Sequence, residues 1–220
     1  MSARISFSGG VAEMAYTGET PWHRLGTPSQ NAMTAKEALS LAHLDWKVIE
    51  RPISIADEFG TFAEAAKGFK ALLRGDSSAV LHVARSTYHP LQNEDAFRFA
   101  DEIVGTGDAK YVTAGALDGG KKIWMLLELS KCKVAIAGDE VLPYFLLHNS
   151  HDGTSLVRGL LTETRVVCWN TLSAALASAK DAGFSFRHTK NVTSNAQNAR
   201  GQLGLIVKAH DGFVAKCHSL

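Results

Sequence analysis

The sequence predicts an α+β domain: an antiparallel sheet of hairpins and a meander, covered by helices that include a long C-terminal one. Three observations predict it. The middle of the chain is dense in strand-like runs separated by tight-turn residues, capped helical runs occur on both sides of it, and the strands are followed by helices that must cover them. Residues 1–33 read as an irregular N-terminal arm and residues 34–220 as a single α+β domain.

The arm contains "GETPWHRLGTPSQ" (18–30), with two prolines, two glycines and an exposed-looking Trp22-His23 pair, which is loop chemistry. A first helix is expected near 34–44, because Thr34 and Glu37 have capping-box spacing and Ala38, Leu41 and Ala42 follow at helical intervals. "WKVIERPISI" alternates as a strand and is interrupted by Pro52, which suits a sheet edge. "FKALLRGDSSAVLHVAR" (69–85) is a hairpin around "RGDSS". A second helix is expected at 93–104, with Asn93 as N-cap, Glu94 and Asp95 at the positive end and Gly105 as the stop.

"KYVTAGAL-DGG-KKIWMLLELS" carries the strongest hairpin signal, Asp-Gly-Gly between two strand-like runs. Turns at "AGDE" and "SHDGT" continue the meander. A third helix is expected at 167–180, with Val167, Thr171, Leu172, Ala175 and Leu176 on one side, then a short strand at "FSFRHT". A final amphipathic helix is expected at 192–216, with Ala196, Ala199, Leu203, Ile206, Val207 and His210 on its inner face.

The chain has 220 residues, 45% of them hydrophobic and 20% charged, enough to bury a core without staples. With 23 basic and 22 acidic residues the net charge is +1, which excludes a uniformly basic coat but not a local basic face. Cys132, Cys168 and Cys217 are too few and too scattered for a disulfide framework and read as free thiols in a reducing compartment. The N-terminus has no apolar signal region, and no run approaches the ~20 apolar residues of a membrane span, so a cytoplasmic location without membrane contact is expected.

The richest polar stretch is "LLHNSHDGTSLVRGLLTETRVVCWNT" (146–171). His148, His151 and Asp152 stand at i, i+3 and i+4, which on a helix would make a metal-ligand set, but Asn149, Asp152 and Gly153 mark a turn between strands. Cys168 with His148, His151 or His188 would be the pair of a thiol-dependent enzyme. No GxSxG, GxGxxG or Walker A order occurs, so no nucleotide hydrolysis and no cofactor are expected. The remaining reading is a polyanion surface, with Lys and Arg on phosphates and aromatic rings against bases.

"GETPWHRLGTP", "STYHPLQNEDAFRFADEIVGTGDAKYVTAGALDGGKKIW", "HNSHDGTSLVRGLLTETRVVCWNTL" and "FRHTKNV" resemble the phage/plasmid-like proteins, a family of unknown function carried on prophages, plasmids and actinobacterial phages. The resemblance spans about residues 16–200. It departs at Trp169, where smaller or polar residues are familiar, and family members run further past the last helix, which implies a short or truncated form here. The family implies mobile-element biology. A more distant fold-level likeness to single-strand annealing recombinases implies binding of single-stranded DNA and assembly into homo-oligomers.

The expectation is therefore a DNA-binding protein of recombination or replication, with no catalytic or metal-ligating residue. Its nucleic-acid-binding residues would be Arg85, Tyr88, His89, Lys110, Lys121, Lys122, Arg158, Arg165, Asn170, Arg187, His188 and Lys190. The alternatives are a small-molecule-binding module or Cys/His-dependent enzyme, and a structural or host-interaction protein.

Overall fold

The computed structural model of the protein describes residues 3–60, 62–63, 67–104, 109–129, 134–136, 139–141, 143–178, 183–195 and 198. A small hairpin, β1 (Phe7–Ser8) and β2 (Val11–Ala12), precedes β3 (Met14–Thr17) and β4 (Thr27–Ser29). Helix α1 (Ala35–Leu41) leads to β5 (Val48–Arg51), the pair β6 (Ile55–Ala56) and β7 (Phe62–Ala63), and the hairpin β8 (Phe69–Arg74) and β9 (Val80–Arg85). After α2 (Asn93–Val104) come β10 (Ala109–Leu117), β11 (Lys122–Leu129), β12 (Val134–Ile136), β13 (Asp139–Val141), β14 (Tyr144–Ser150), β15 (Val157–Thr162), α3 (Trp169–Ser178) and β16 (Gly183–Phe186).

Seven strands form the main sheet, in the order β16-β15-β14-β11-β10-β3-β4. All neighbours are antiparallel except β3 and β4, which run parallel, so the sheet is mixed. The expected α+β domain on an antiparallel sheet is thereby corrected. The fold is mostly β, its described helices are only 7, 12 and 10 residues long, and β5, β8 and β9 make a second, three-stranded sheet. The reason lies in burial: β14 is buried at all seven positions and β11 at six of eight. Strands apolar on both faces need cover on both sides.

On one side α1, α2 and the small sheet supply that cover, through Ala38, Phe97, Val48 and Leu72 against Tyr111, Met125 and Phe145. On the other side Met14, Trp124, Leu126, Leu146 and Leu160 pack with Val167, Cys168, Leu172 and Ala175 at α3. Of the expected helix at 192–216, residues 192–195 are helical, and the rest lies outside the described residues apart from residue 198.

Local chemistry explains the elements that were legible. Thr34 Oγ1 accepts from the Glu37 backbone N–H, and the Glu37 carboxylate accepts from the Thr34 N–H, a closed capping box. Between β10 and β11, Asp118, Gly119 and Gly120 all take positive φ (54°, 72° and 93°), a path that glycine follows without strain. Asp118 also accepts from Arg4 at 2.5–2.8 Å, tying the turn to the N-terminal segment. The expectation for Asn93 is corrected: its Nδ2 donates to the Leu44 carbonyl and its Oδ1 accepts from His151, so the side chain anchors α2 to neighbouring elements.

Residues 14–17 and 27–29, within the segment read as an arm, are strands of the main sheet. β3 pairs with the centre of β10, matching Tyr16, Ala15 and Met14 to Thr113, Ala114 and Gly115. Gly115 is required by packing, because a Cβ there would lie 2.2 Å from Cη2 of the buried Trp124 ring. The Trp124 indole donates to Thr113 Oγ1, which itself donates to the Val166 carbonyl at 2.6 Å, fixing the approach to α3. Arg74 on β8 pairs with buried Glu13 and with Asp76, and lies 4.4 Å from the Trp46 ring, clamping the small sheet to the main one.

Candidate functional site

The stretch "HNSHDGTS" is the end of β14 and the turn into β15. Asp152 organises it. Its carboxylate accepts from Ser150 Oγ (2.5 Å), Lys122 Nζ (2.6 Å), Thr154 Oγ1 (2.6 Å) and the Thr154 N–H (3.0 Å). Burial alone would raise this carboxyl, but those donors outweigh it and hold it far below the usual carboxylate range. His148 faces the same knot, with Nδ1 donating to the Ile123 carbonyl and Nε2 accepting from Ser155 Oγ. Burial pushes its pKa down to about 4, so the ring is neutral.

His151 points to the other side of the sheet. It is fully buried, stands edge-on to Trp46 at 5.5 Å and donates from Nε2 to Asn93 Oδ1. Burial and, next, the proximity of His188 push it down to about 3. His188 is buried and stacked on Tyr88 at 4.6 Å, and burial lowers it to about 4. The His151 Nδ1, both His188 ring nitrogens, the Trp46 indole nitrogen and Asn149 Oδ1 are buried without a hydrogen-bond partner.

Cys168 lies in the opposite core, among Val166, Val167 and Leu172, with its sulfur 3.6 Å from Thr171 Oγ1. The thiol and His151 are thus on different sides of the main sheet and do not converge. Among the described residues no group of three or more His, Cys, Asp or Glu side chains is placed to hold a metal ion.

The residues singled out from sequence fall into three groups, with Lys110 in two of them and Arg85 and Asn170 outside all three. Lys110, Lys122 and Arg158 share the α3 side of the sheet by register, Lys110 opposite Glu128, Lys122 opposite Ser150, and Arg158 opposite His148. Lys110, paired with Glu128, and Lys122 nevertheless lie at opposite ends of the β10–β11 ladder, roughly 20 Å apart at 3.3 Å per residue. Lys122 is committed to Asp152, and Lys121 lies in the turn, where its carbonyl accepts from the His151 N–H.

Tyr88, His89 and His188 form the second group, on the α2 side: the Tyr88 hydroxyl donates to the Ser150 carbonyl, and the His89 N–H to the His188 carbonyl. Arg187 and Lys190 are exposed beyond them. Arg85 stands alone on the small sheet, 6.0 Å from the Phe69 ring. Asn170 is half-buried in the first turn of α3, its carbonyl accepting from Ser173.

The third group is Lys110 with Arg165, and these two residues line one concavity. It has a volume of about 380 Å³ and is bounded by Thr17, Gly18, Glu19, Gln30, Asn31, Ala32, Lys110, Val112, Glu128, Tyr144 and Arg165. Arg165 Nη2 donates to the carbonyls of Thr17 (2.9 Å) and Glu19 (2.7 Å), which pins the segment after β3 against the groove. Both partners are backbone oxygens, so the guanidinium keeps its full charge and its remaining N–H groups for a ligand. Lys110 Nζ lies 3.1 Å from Glu128. The Tyr144 hydroxyl is raised above its usual pKa, first by burial and then by Glu128, with Arg165 opposing, and stays protonated as a donor. The groove therefore offers a fixed cation, a balanced ion pair and a phenol to a polar, partly anionic ligand.

A family model for a domain of unknown function, DUF932, matches residues 80–220. The chain belongs to the DUF932 family. The match includes Lys110, Glu128, Tyr144 and Arg165 but not the groove wall supplied by residues 17–19 and 30–32, so the DUF932 region of this chain builds the site together with the segment before it. No curated protein and no solved structure matches the chain. Among the described residues no helix is long and apolar enough to cross a membrane.

Sequence reasoning passed over Thr17, Glu19, Gln30, Glu128 and Tyr144. Their only local signal was the turn chemistry at Gly18, which has φ 73°. Glu128 and Tyr144 reach Arg165 through the register of β11, β14 and β15, and Thr17 and Glu19 through the pairing of β3 with β10.

Proposed function

We propose that this DUF932 protein binds single-stranded DNA through its backbone and acts in recombination or replication of a phage or plasmid without hydrolysing nucleotides. The mobile-element context rests on the resemblance of its motifs to the phage/plasmid-like proteins. The observation that carries the binding reading is Arg165. It is a guanidinium held in a groove by two carbonyls, with no described carboxylate within ion-pair distance, beside Lys110 and the Tyr144 hydroxyl. A phosphate seated there would meet a charge-assisted donor fork, the strongest recognition that a protein offers an oxyanion. The binding region is accordingly narrower than the surface expected from sequence. Lys122 serves the turn at Asp152 and His188 is buried, so neither is assigned to DNA.

The test is fluorescence anisotropy with a labelled single strand and the matching duplex over a salt series, with light scattering for assembly state. Each phosphate contact contributes a log–log salt slope of about −0.7 on single strands, so Lys110→Ala with Arg165→Ala should flatten the slope by about 1.4. The loss should be equal on unrelated sequences. Absence of binding to single strands at low salt by a folded sample defeats the proposal. A second reading, a small polar ligand with one anionic group, is favoured by the carboxylates Glu19 and Glu128 on the same wall. It gains if mononucleotides or short carboxylates bind and oligonucleotides do not.

A further inference from the structure

We infer that Trp22 is a base-stacking platform for the strand whose phosphate sits on Arg165, so that the segment before the DUF932 region takes part in recognition. The inference rests on the single-strand reading above. Trp22 is 63% exposed, whereas Trp46 and Trp124 are buried and Trp169 is half-buried beneath the Arg4 guanidinium. An indole left this open in an otherwise covered set is a feature of binding faces more than of folding.

The turn that presents it is held rigidly. The Arg24 N–H donates to the Pro21 carbonyl, closing the turn with Trp22 and His23 at its centre. His23 is fixed at both nitrogens. Nδ1 accepts from the Leu25 N–H at 3.1 Å, so Nε2 carries the proton and donates to the Val167 carbonyl at 2.9 Å. The Trp22 ring stands on that imidazole at 5.2 Å and 70°.

The same tether leads to the groove. Val167 follows Arg165 by two residues, and Arg165 grips the carbonyls of Thr17 and Glu19, just before Trp22. Trp22 and the groove cation are thus linked from both sides, through His23 and Val167 on one and through Glu19 on the other. An exposed aromatic face joined by short, fixed links to a groove cation is an arrangement that can hold a single strand without reading its sequence, because every base has a π-face. Duplex DNA has its bases stacked already and offers no partner to Trp22. The arrangement therefore favours single strands over duplex, which phosphate contacts alone do not.

The test uses the full chain with labelled oligothymidylate and a matching abasic deoxyribose-phosphate oligomer of equal length. Wild type should prefer oligothymidylate, and its tryptophan emission should be quenched on binding. Trp22→Ala should lose roughly 5- to 150-fold in affinity for oligothymidylate, bind the two probes alike and lose the quench. Trp22→Phe should retain most of the preference. Arg165→Ala should weaken both probes together.

If Trp22→Ala keeps the wild-type preference for bases while Arg165→Ala still weakens binding, the stacking role is overturned and the groove reading stands. If folded wild type binds neither probe, both fall. Unchanged DNA affinity with an altered light-scattering mass for Trp22→Ala would assign the indole to a subunit contact and overturn the inference.

Discussion

Acid should unfold this protein early, because three histidines are neutral and buried in it. His148 and His188 are pushed down to about 4 and His151 to about 3, burial being the main cause in each case. In the unfolded chain each titrates near its ordinary value of about 6.5. Below that pH the unfolded state binds protons that the folded state refuses, so stability falls as pH drops and stops falling once the folded rings themselves titrate, at about 3 to 4. The slope is about 1.4 kcal/mol per pH unit for each histidine. At pH 7.5 the effect is negligible, at pH 6 it is about 1 kcal/mol per histidine, and at pH 5 about 2 kcal/mol. Three histidines thus remove about 6 kcal/mol at pH 5, against the roughly 5–15 kcal/mol total stability of a domain.

Protonating His151 adds a second, unanswered donor to a fully buried ring. With Nε2–H committed to Asn93, the new proton goes to an Nδ1 that has no partner. Asp152 acts in a separate, lower window. Its folded pKa is depressed, so its contribution is present above the ordinary carboxylate range and is lost as pH falls below about 4. Urea unfolding followed by circular dichroism at pH 7.5, 6 and 5 measures the effect as a falling midpoint at constant m-value. His188→Phe keeps the stack on Tyr88, removes two unpartnered nitrogens, and should cut the acid loss by about a third. An unchanged midpoint between pH 7.5 and 5, or imidazole proton resonances of these rings titrating near 6.5 in the folded protein, would refute the reasoning.

Gly115→Ala should destabilise by about 1–3 kcal/mol or more, read as a lower melting temperature, because the added methyl would meet the Trp124 ring at 2.2 Å. Arg74→Met should cost about 3–5 kcal/mol by leaving Glu13 charged and buried, and adding Glu13→Gln should restore part of it in denaturant melts. Asp152→Asn should cost about 1.5–3 kcal/mol and loosen the β14–β15 turn, visible as faster amide exchange at Thr154, whose N–H now donates to that carboxylate.

Short-range chemistry made much of this fold legible. The capping box at Thr34 and Glu37, the "RGDSS" hairpin, the Asp-Gly-Gly turn and the edge strand interrupted at Pro52 are written in residues close together, and each appears where expected. What was not legible depends on partners far away. "MAYT" has four residues and no turn signal pointing to β10, so its place in the sheet, and the parallel β4 beside it, had no local trace.

The strands buried on both faces also lose the alternation that would assign side chains to a side. Lys110 and Lys122 were both expected on one nucleic-acid-binding surface, whereas register places them at opposite ends of the β10–β11 ladder. Commitment was equally hidden: nothing in "GGKKIW" shows that Lys122 will be consumed by Asp152, thirty residues on. The polar knot at 148–155 was readable as a turn because Asp152 and Gly153 are turn residues; that His148 and His151 face opposite sides follows only from the strand.

The pairing of β3 with β10 also sets a timetable. β10 to β16 meet mostly through short connections and close loop by loop, whereas Met14 must wait for Gly115, about a hundred residues downstream. At a synthesis rate of about 5–20 residues per second, β3 spends roughly 5–20 s outside the ribosome before its partner exists. During that interval Met14, Ala15 and Tyr16, all buried in the finished protein, lack the strand that will cover them. The seam between β3 and β10 thus closes over the longest stretch of chain of any in the main sheet, and a slow phase in refolding should be sought there first.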